Sequence, residues 1–459
     1  MAFKKNILCI GAGYVGGPTM SVIAHKCPDY RVTVVDVNAD KIARWNSAQL
    51  PIYEPGLDEI VRAVRGKNLF FHTDIAAGIR AADIIFVSVN TPTKTFGEGA
   101  GMASDLQYWE QTANQIVTHS ESAKIIVEKS TLPVRTAEAM ERILRLNRKQ
   151  LHFEVISNPE FLSEGTAVND LLQPDRVLIG SQQSESGLRA AEEIAAIYRH
   201  WVPAEKIITA NLWSAELSKL IANAFLAQRI SSINSVSALC EKTGADVSEI
   251  AFAIGSDSRI GTKFLRAGVG FGGSCFKKDL LNLVYIARTY GLADVADYWQ
   301  AVLRMNEHQQ ERFVRLIIDT MFHTLVGKKI ALFGFAFKAN TGDTRESPAI
   351  FVAEKLLAEK ARLAISDPQA LENARQDLQG VAGEIDYEPD PYRAACDAQA
   401  IVILTDWDLF RILDYERIFK TMKKPAFVFD GRNLVDGRKL FALGFNVFPL
   451  GKPPLTHLQ

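Results

Sequence analysis

In the stretch GFGGSCFKKD, Gly270 to Asp279, one cysteine follows three glycines and opens the pattern FKKDLLNLVYIARTYG. That amphipathic spacing predicts a helix with Cys275 at its N-terminal end, where the dipole and unpaired N–H groups favour a thiolate. Lys277 and Lys278 either add positive charge there or face solvent. Asp279 is i+4 from Cys275, so carboxylate and thiol share one helical face. The alternative is a buried cysteine acting as a small hydrophobe; the glycine approach and the i+4 carboxylate favour the nucleophile. Lys219 and Asn223 form a second i, i+4 pair inside an apolar stretch, WSAELSKLIANAFLAQRISSINSVSALCEKTG. An unpaired charge there is costly, so the pair reads as the lining of a polar pocket or as a polar stripe at a helix rim. In SNPEFLSEGTA, Glu160 and Glu164 form a third pair after Asn158-Pro159. Two close carboxylates suit acid/base work or contacts distal to a pyrophosphate; alternatively they cap the next helix.

A different chemistry is written near the start. GAGYVG sets Gly11, Gly13, Tyr14, Val15 and Gly16 directly after an apolar run. The first glycine permits a tight turn, the second a close approach of backbone to a pyrophosphate, the third helix–strand packing. Asp36 ends the next apolar run, at the spacing of about 20 residues that such a fingerprint requires. A carboxylate there accepts ribose hydroxyls and repels a 2′-phosphate, which favours NAD over NADP; Lys41 is a cation that partly offsets the repulsion. The alternative is a glycine turn with no cofactor. Val89, Asn90 and Thr91 in VNTPT, and Ser130 and Thr131 in EKST, follow further apolar runs. They suit the nicotinamide half of a dinucleotide, because open sheets bind ligands beyond strand C-termini, or serve as N-caps. Candidate phosphate cations are Arg259, Lys263, Arg266, Lys338, Arg345 and Arg432, each otherwise a solvated surface charge. The segment AGVGFGG would let backbone N–H groups approach a ligand. No residue set is assigned to a metal.

The elements that must position these groups are legible as apolar runs alternating with helical patterns. NILCIG, RVTVVD, ADIIFVSV, KIIVEKST, FEVISNPE and RVLIG come first; KKIALFGFAF, RLAISDP, AIVILTDW and AFVFDGRN come later. This is the signature of parallel sheets covered on both faces. Between the two sets lies the long apolar helix, predicted to be buried, with Ser214 as its cap and Gly244 as its end. The fold class is therefore α/β, with two Rossmann-like doubly wound domains joined by a central helical segment. The boundaries fall at 1–211, 212–327 and 328–459. The two halves suggest a distant duplication. A chain of 459 residues, 47% hydrophobic, exceeds one core. Its net charge of -1 offers no global field for nucleic acid or an anionic membrane. Five unpatterned cysteines argue for a reducing compartment. Neither a signal peptide nor a membrane span is expected, so the reading is a cytosolic protein.

Taken together, GAGYVGGPT, LPIYEPGL, VNTPTKTFGEG, EKSTLPVRT, SNPEFLSEGTA, ELSKLIANAFLA, GFGGSCFKKD, GFAFKANTGDTRESP and FDGRN resemble the UDP-glucose 6-dehydrogenases. The likeness runs from Lys4 to about Leu450 and is closest to the animal-type branch; relatives in the wider family take GDP-mannose or UDP-N-acetylmannosamine. The resemblance implies an NAD-dependent, two-step oxidation of UDP-glucose to UDP-glucuronate. It implies that Cys275 is the catalytic cysteine, with Lys219, Asn223, Asp279, Thr131, Glu160 and Glu164 around the reacting carbon. Arg345, Glu164 and Lys278 join the fingerprint residues as NAD contacts. Phe161, Leu162, Phe264, Leu265, Arg266, Phe271, Gly272, Phe276, Phe337, Lys338 and Arg432 are the implied lining for the UDP-sugar. Arg259 matches an arginine that reaches the sugar nucleotide of a neighbouring subunit, which implies at least a dimer; the animal-type likeness implies a hexamer.

Overall fold

The computed structural model describes residues 3–130, 136–146 and 149–458. The chain divides into two compact units: Met1–Ala222 with Leu281–Ile286, and Asn223–Leu280 with Ala287–Gln459. The central helical segment is shared between them, and the division falls inside its long helix.

The first unit is built on eight strands: β1 (Lys5–Ile10), β2 (Tyr30–Val35), β3 (Leu69–His72), β4 (Ile84–Val87), β5 (Lys124–Glu128), β6 (Phe153–Ser157), β7 (Val177–Ser181) and β8 (Ile207–Asn211). Their order in the sheet is β3-β2-β1-β4-β5-β6-β7-β8. Neighbours from β3 through β6 pair in parallel, with Ile7 opposite both Val32 and Ile84. β7 runs antiparallel to β6, and β8 parallel to β7, so the parallel sheet expected from sequence carries a reversed pair at one side. The central strands are apolar on both faces because both faces are covered. Ile7, Cys9, Val32, Val34, Ile84 and Phe86 point into one core, and Leu8, Ile10, Val35, Ile85 and Val87 into the other.

The second unit holds β9 (Lys329–Phe333), β10 (Arg362–Ser366), β11 (Glu384–Tyr387), β12 (Ala400–Ile403), β13 (Phe427–Asp430) and β14 (Asn446–Pro449). All pairs are parallel, in the order β11-β10-β9-β12-β13-β14. The first six strands of the other sheet follow the same order, so the topology occurs twice in one chain.

The long helix spans Leu212–Thr243. Its cap is Asn211, whose side-chain oxygen accepts the Ser214 N–H at 2.8 Å, and not Ser214 as the sequence suggested. Gly244 ends it with φ 78°, donating to the Cys240 carbonyl. Leu220, Ala224, Ala227, Ile233 and Cys240 are buried, but Trp213, Leu217, Phe225 and Leu239 are exposed. The burial expected from the apolar composition therefore holds for part of the helix surface and not for these four side chains. Among the described residues no helix is long and apolar enough to cross a membrane.

Candidate active site

The nucleotide end is made where β1 turns into the helix Gly16–Lys26. Gly11 has φ 110°, and a Cβ on it would lie 2.3 Å from the Ser88 carbonyl oxygen. A Cβ on Gly16 would lie 2.1 Å from the Gly11 oxygen, whereas one on Gly13 would meet nothing within 4 Å. The turn thus needs its first and last glycines for packing and leaves open space over the middle one. Val15 precedes the helix, and no side chain caps the helix start; such a terminus suits a pyrophosphate. Tyr14 is exposed beside it.

Asp36, at the end of β2, is largely buried. It accepts the N–H groups of Ala12 and Asn38, each at 2.9 Å, and the Lys41 ammonium at 3.0 Å. Burial pushes its carboxyl up, but the two backbone N–H groups and Lys41 outweigh this and hold it below the ordinary range. It is an ionised acceptor beside the glycine turn, and Lys41 is engaged with it. These features fit NAD. At the neighbouring strand ends, Ser130 Oγ donates to the Val89 carbonyl at 2.7 Å, Asn90 is exposed and Thr91 buried. Thr131 lies outside the described residues.

A reactive polar group in the same unit forms after β6. Glu160 is buried, accepts the Leu162 N–H at 2.7 Å and pairs with Lys219 Nζ at 3.0 Å. Burial raises its carboxyl, but Lys219 more than compensates, so Glu160 is held ionised. The Phe161 ring lies 5.5 Å from Lys219 Nζ. Glu164 is half-buried. Glu160 is not seen to cap the helix Ala167–Leu172, the role the sequence left open: its carboxylate accepts the Leu162 N–H. Glu54 caps that helix from a distance, accepting the Gly165 N–H at 2.7 Å and the Ala167 N–H at 3.2 Å. Lys129 is a further residue that pattern reading missed. It is buried, with Nζ 3.0 Å from Asn158 Oδ1 and 3.2 Å from the Tyr198 hydroxyl.

In the second unit, Cys275 is exposed in the first turn of the helix Ser274–Thr289. The buried-hydrophobe alternative is thereby excluded for it, while Cys9, Cys27 and Cys240 are buried. One turn on, Asp279 is buried and accepts from Asn223 Nδ2 at 2.6 Å. The structure thus brings together Glu160 with Lys219, and Asn223 with Asp279. Lys219 and Asn223 themselves stand one turn apart on the long helix.

The glycine strap before Cys275 differs from expectation. The N–H groups of Gly268, Phe271 and Gly273 are taken by Asn234, Asn306 and the Arg345 carbonyl, at 2.9, 2.8 and 2.9 Å. Asn306 also donates to the Phe271 carbonyl, and Gln309 to that of Gly268. A Cβ on Gly272 would lie 2.6 Å from the Glu346 oxygen and 2.8 Å from Phe337 Cβ. These glycines allow close packing of chain against chain, and three of the strap's N–H groups are engaged within the protein.

Of the cations, Arg432 and Arg266 share Asp406, at 2.9 and 3.5 Å. Burial raises that carboxyl, but Arg432 first and then Arg266 hold it low. Asp430 accepts the N–H groups of Arg432, Leu434 and Val435 and so fixes the turn that presents Arg432. Phe276 packs edge-on against both Phe271 and Phe264, and Phe264 holds φ 61°, rare for an aromatic residue. Leu265 is buried. Arg345 pairs with Asp343, Lys277 with Glu346, and Arg259 with Asp257 on the surface. Lys338 Nζ lies 5.5 Å from the Phe337 ring, and Lys278 is half-buried. The Lys263 carbonyl accepts from Arg229 at 2.9 Å. Among the described residues no cluster of His, Cys, Asp or Glu could hold a metal ion.

An open dinucleotide turn and an exposed cysteine with a buried carboxylate one turn away define an α/β nicotinamide-dependent oxidoreductase with two Rossmann-like units. Three family models match the chain: the NAD binding domain of the UDP-glucose/GDP-mannose dehydrogenase family over residues 5–202, its central domain over 213–308, and its UDP binding domain over 331–437. The chain belongs to the UDP-glucose/GDP-mannose dehydrogenase family. It is 57% identical to UDP-glucose 6-dehydrogenase 3 of Oryza sativa subsp. japonica, over 98% of this chain and 97% of the rice protein. It is 58% identical to UDP-glucose 6-dehydrogenase 3 of Arabidopsis thaliana, with the same coverage. A UDP-glucose dehydrogenase from the archaeon Pyrobaculum islandicum superposes with a TM-score of 0.84 at 32% identity, covering 97% of this chain and 98% of that one.

Proposed function

We propose that this enzyme oxidises C6 of UDP-glucose twice, yielding UDP-glucuronate. The observation that carries the acid-forming reading is the exposed Cys275 at a helix start, with Asp279 buried one turn on and held by Asn223. An alcohol-to-aldehyde oxidation needs no thiol. The plant relatives, named as UDP-glucose 6-dehydrogenases, support the sugar nucleotide. The finer placement in the animal-type branch rests on the motif resemblance alone, since the relatives named above are from plants.

The Gly11–Gly16 turn, Asp36, the strand ends at Val89–Thr91 and Ser130, and Glu164, Lys278 and Arg345 would hold NAD, which would supply the hydride acceptor for each oxidation. Lys219, or a water held by Glu160, takes the proton of the C6 hydroxyl in the first. The Cys275 thiolate then adds to the aldehyde carbon, and the oxygen takes up a proton to give a thiohemiacetal. The side chains of Lys219 and Asn223 steady the oxyanion. Asn223 spends one amide N–H on Asp279 and has a second to offer. Loss of the C6 hydrogen as hydride and of the hydroxyl proton leaves a thioester. Water oriented by Asp279, Thr131 or Glu160 adds to it, the C–S bond breaks, and the thiolate is released.

Arg432, Lys338, Arg266, Leu265 and the aromatic group Phe264, Phe271, Phe276 and Phe337 are assigned to the UDP-sugar with Gly272, Phe161 and Leu162. Domain roles follow the same reading: NAD binding in 1–211, association in 212–327 and UDP-sugar binding in 328–459. Exposed Phe225, Leu239 and Phe252 (74% accessible) in the central segment suit a second copy of the chain, with a dimer as the unit and a hexamer as the assembly. Arg259 would then reach the neighbouring subunit's sugar nucleotide. The enzyme is placed in the cytoplasm, without nucleic acid or membrane as a partner.

Initial rates with UDP-glucose, GDP-mannose and UDP-N-acetylmannosamine test the substrate. UDP-glucose should give the highest kcat/KM, by at least about a hundredfold, or roughly 2.7 kcal/mol. A higher value for either rival would overturn the assignment.

A further inference from the structure

Lys129 is a buried cation that the mechanism above leaves unused. It directly follows β5, its backbone N–H tied to the Val87 carbonyl at 2.9 Å. Among the described residues its Nζ donates to two neutral oxygens, Asn158 Oδ1 and the Tyr198 hydroxyl. Tyr198 donates to the same Asn158 oxygen at 2.6 Å, and Asn158 Nδ2 donates to the Leu178 carbonyl at 2.7 Å. Lys129, Asn158 and Tyr198 are all buried, and among the described residues no carboxylate lies within ion-pair distance of Lys129. An ammonium held this way is costly, and a neutral side chain of the same length would remove the cost. Structure alone does not call for a charge here.

The groups facing it give the charge a use. Glu160 comes from the loop after β6, Lys219 from the long helix, Cys9 from β1 and Tyr198 from the helix Glu185–Tyr198. Burial pushes the Lys129 ammonium down to about 8; Glu160 opposes that shift and Lys219 adds to it. Cys9 and Tyr198 are pushed up by burial and stay neutral. Among the described residues the charges in this group are therefore those of Lys129, Lys219 and Glu160. Lys219 facing Glu160 alone would hold its proton firmly; a second cation nearby weakens that hold, because like charges disfavour each other's charged forms. Asn158 also stands two residues before Glu160, so the same hydrogen bonds fix where that carboxylate sits.

We propose that Lys129 is a positioning residue that balances the Glu160–Lys219 pair, keeping Glu160 ionised and easing proton release from Lys219 for the first oxidation. This rests on the proposed role of Lys219 as base. The proposal is tested in the full-length enzyme by the pH dependence of kcat for UDP-glucose. Lys129→Met should move the acid limb up by about one pH unit and lower kcat on that limb about tenfold. KM for UDP-glucose should change less than about twofold. Lys129→Arg should restore the limb, and Tyr198→Phe, which keeps the charge, should leave it in place. If Lys129→Met does not fold, Asn158→Asp, which sets a carboxylate against the ammonium, must shift the limb in the same direction. An unmoved limb in the neutralised variant, or an equal shift in Tyr198→Phe, would overturn the proposal. A Lys219→Ala variant that keeps the wild-type single-turnover rate of the first oxidation would instead refute the underlying role of Lys219, so the two failures are distinguishable.

Discussion

The two α/β units use the same turn for different ends. After β1, Gly11 takes φ 110° and donates to the Val35 carbonyl at 2.8 Å; after β9, Gly334 takes φ 95° and donates to the Ser366 carbonyl at 2.8 Å. After β2, Asp36 accepts from Ala12 and Asn38; after β10, Asp367 accepts from Phe335 and Gln369. There the parallel ends. Asp367 also takes the N–H groups of Ala336 and Ala370 and the Trp407 indole, and is 2% exposed. Among the described residues Asp36 has Lys41 alone beyond its two backbone donors. In the first unit a helix starts at Gly16, close behind the turn, while in the second none starts until Pro348. On the proposed function, the same topology carries a ligand-reading carboxylate and a helix end for phosphate in one copy, and an internal clamp in the other. The two copies differ in these local bonds, not in the strand order.

Substitutions at the two aspartates are the sharpest way to break this comparison. Asp367→Ala should have the larger effect, on folding. It strands buried donors, each worth roughly 1–3 kcal/mol, and should cost about 3 kcal/mol in a denaturant titration while leaving KM for NAD within about twofold. A stable protein with impaired NAD binding would reverse the roles assigned to the two turns. Asp36→Ala should do less to stability, about 1 kcal/mol, and raise KM for NAD about tenfold or more, since the ribose hydroxyls lose their acceptor. It should also narrow the preference for NAD over NADP, measured as the ratio of kcat/KM values. An unchanged ratio would remove Asp36 from cofactor reading.

What could be read from the sequence, and what could not, follows contact distance. The central strands announced themselves because both faces are buried, so their residues are apolar without interruption. The strands that pattern reading passed over are β3, β8, β11 and β14, and each lies at the edge of its sheet. Edge strands are short and partly wet; EIDY in β11 alternates exposed and half-buried positions and shows no apolar run. At the site, Gly11, Asp36, Cys275 and Asp279 were legible because their logic is local: a turn, a strand end, one helical turn. Glu54, Lys129, Asn306 and Asp406 were not. Glu54 caps a helix 111 residues away, and Lys129 meets Tyr198 69 residues on. Only the folded chain brings such partners together. The partners of the glycine strap were not legible for the same reason, because the side chains of Asn234, Asn306 and Gln309 that meet its backbone come from distant helices.

The central claim is that the thiol of Cys275 carries the oxidation past the aldehyde. The direct measurement is the number of NADH formed per UDP-glucose consumed, with NAD in excess, for the wild type and for Cys275→Ser. Two per sugar are predicted for the wild type, with UDP-glucuronate as product, and a stall after aldehyde or adduct formation for the variant. One NADH per sugar in the wild type, or two at the wild-type rate in Cys275→Ser, would contradict it.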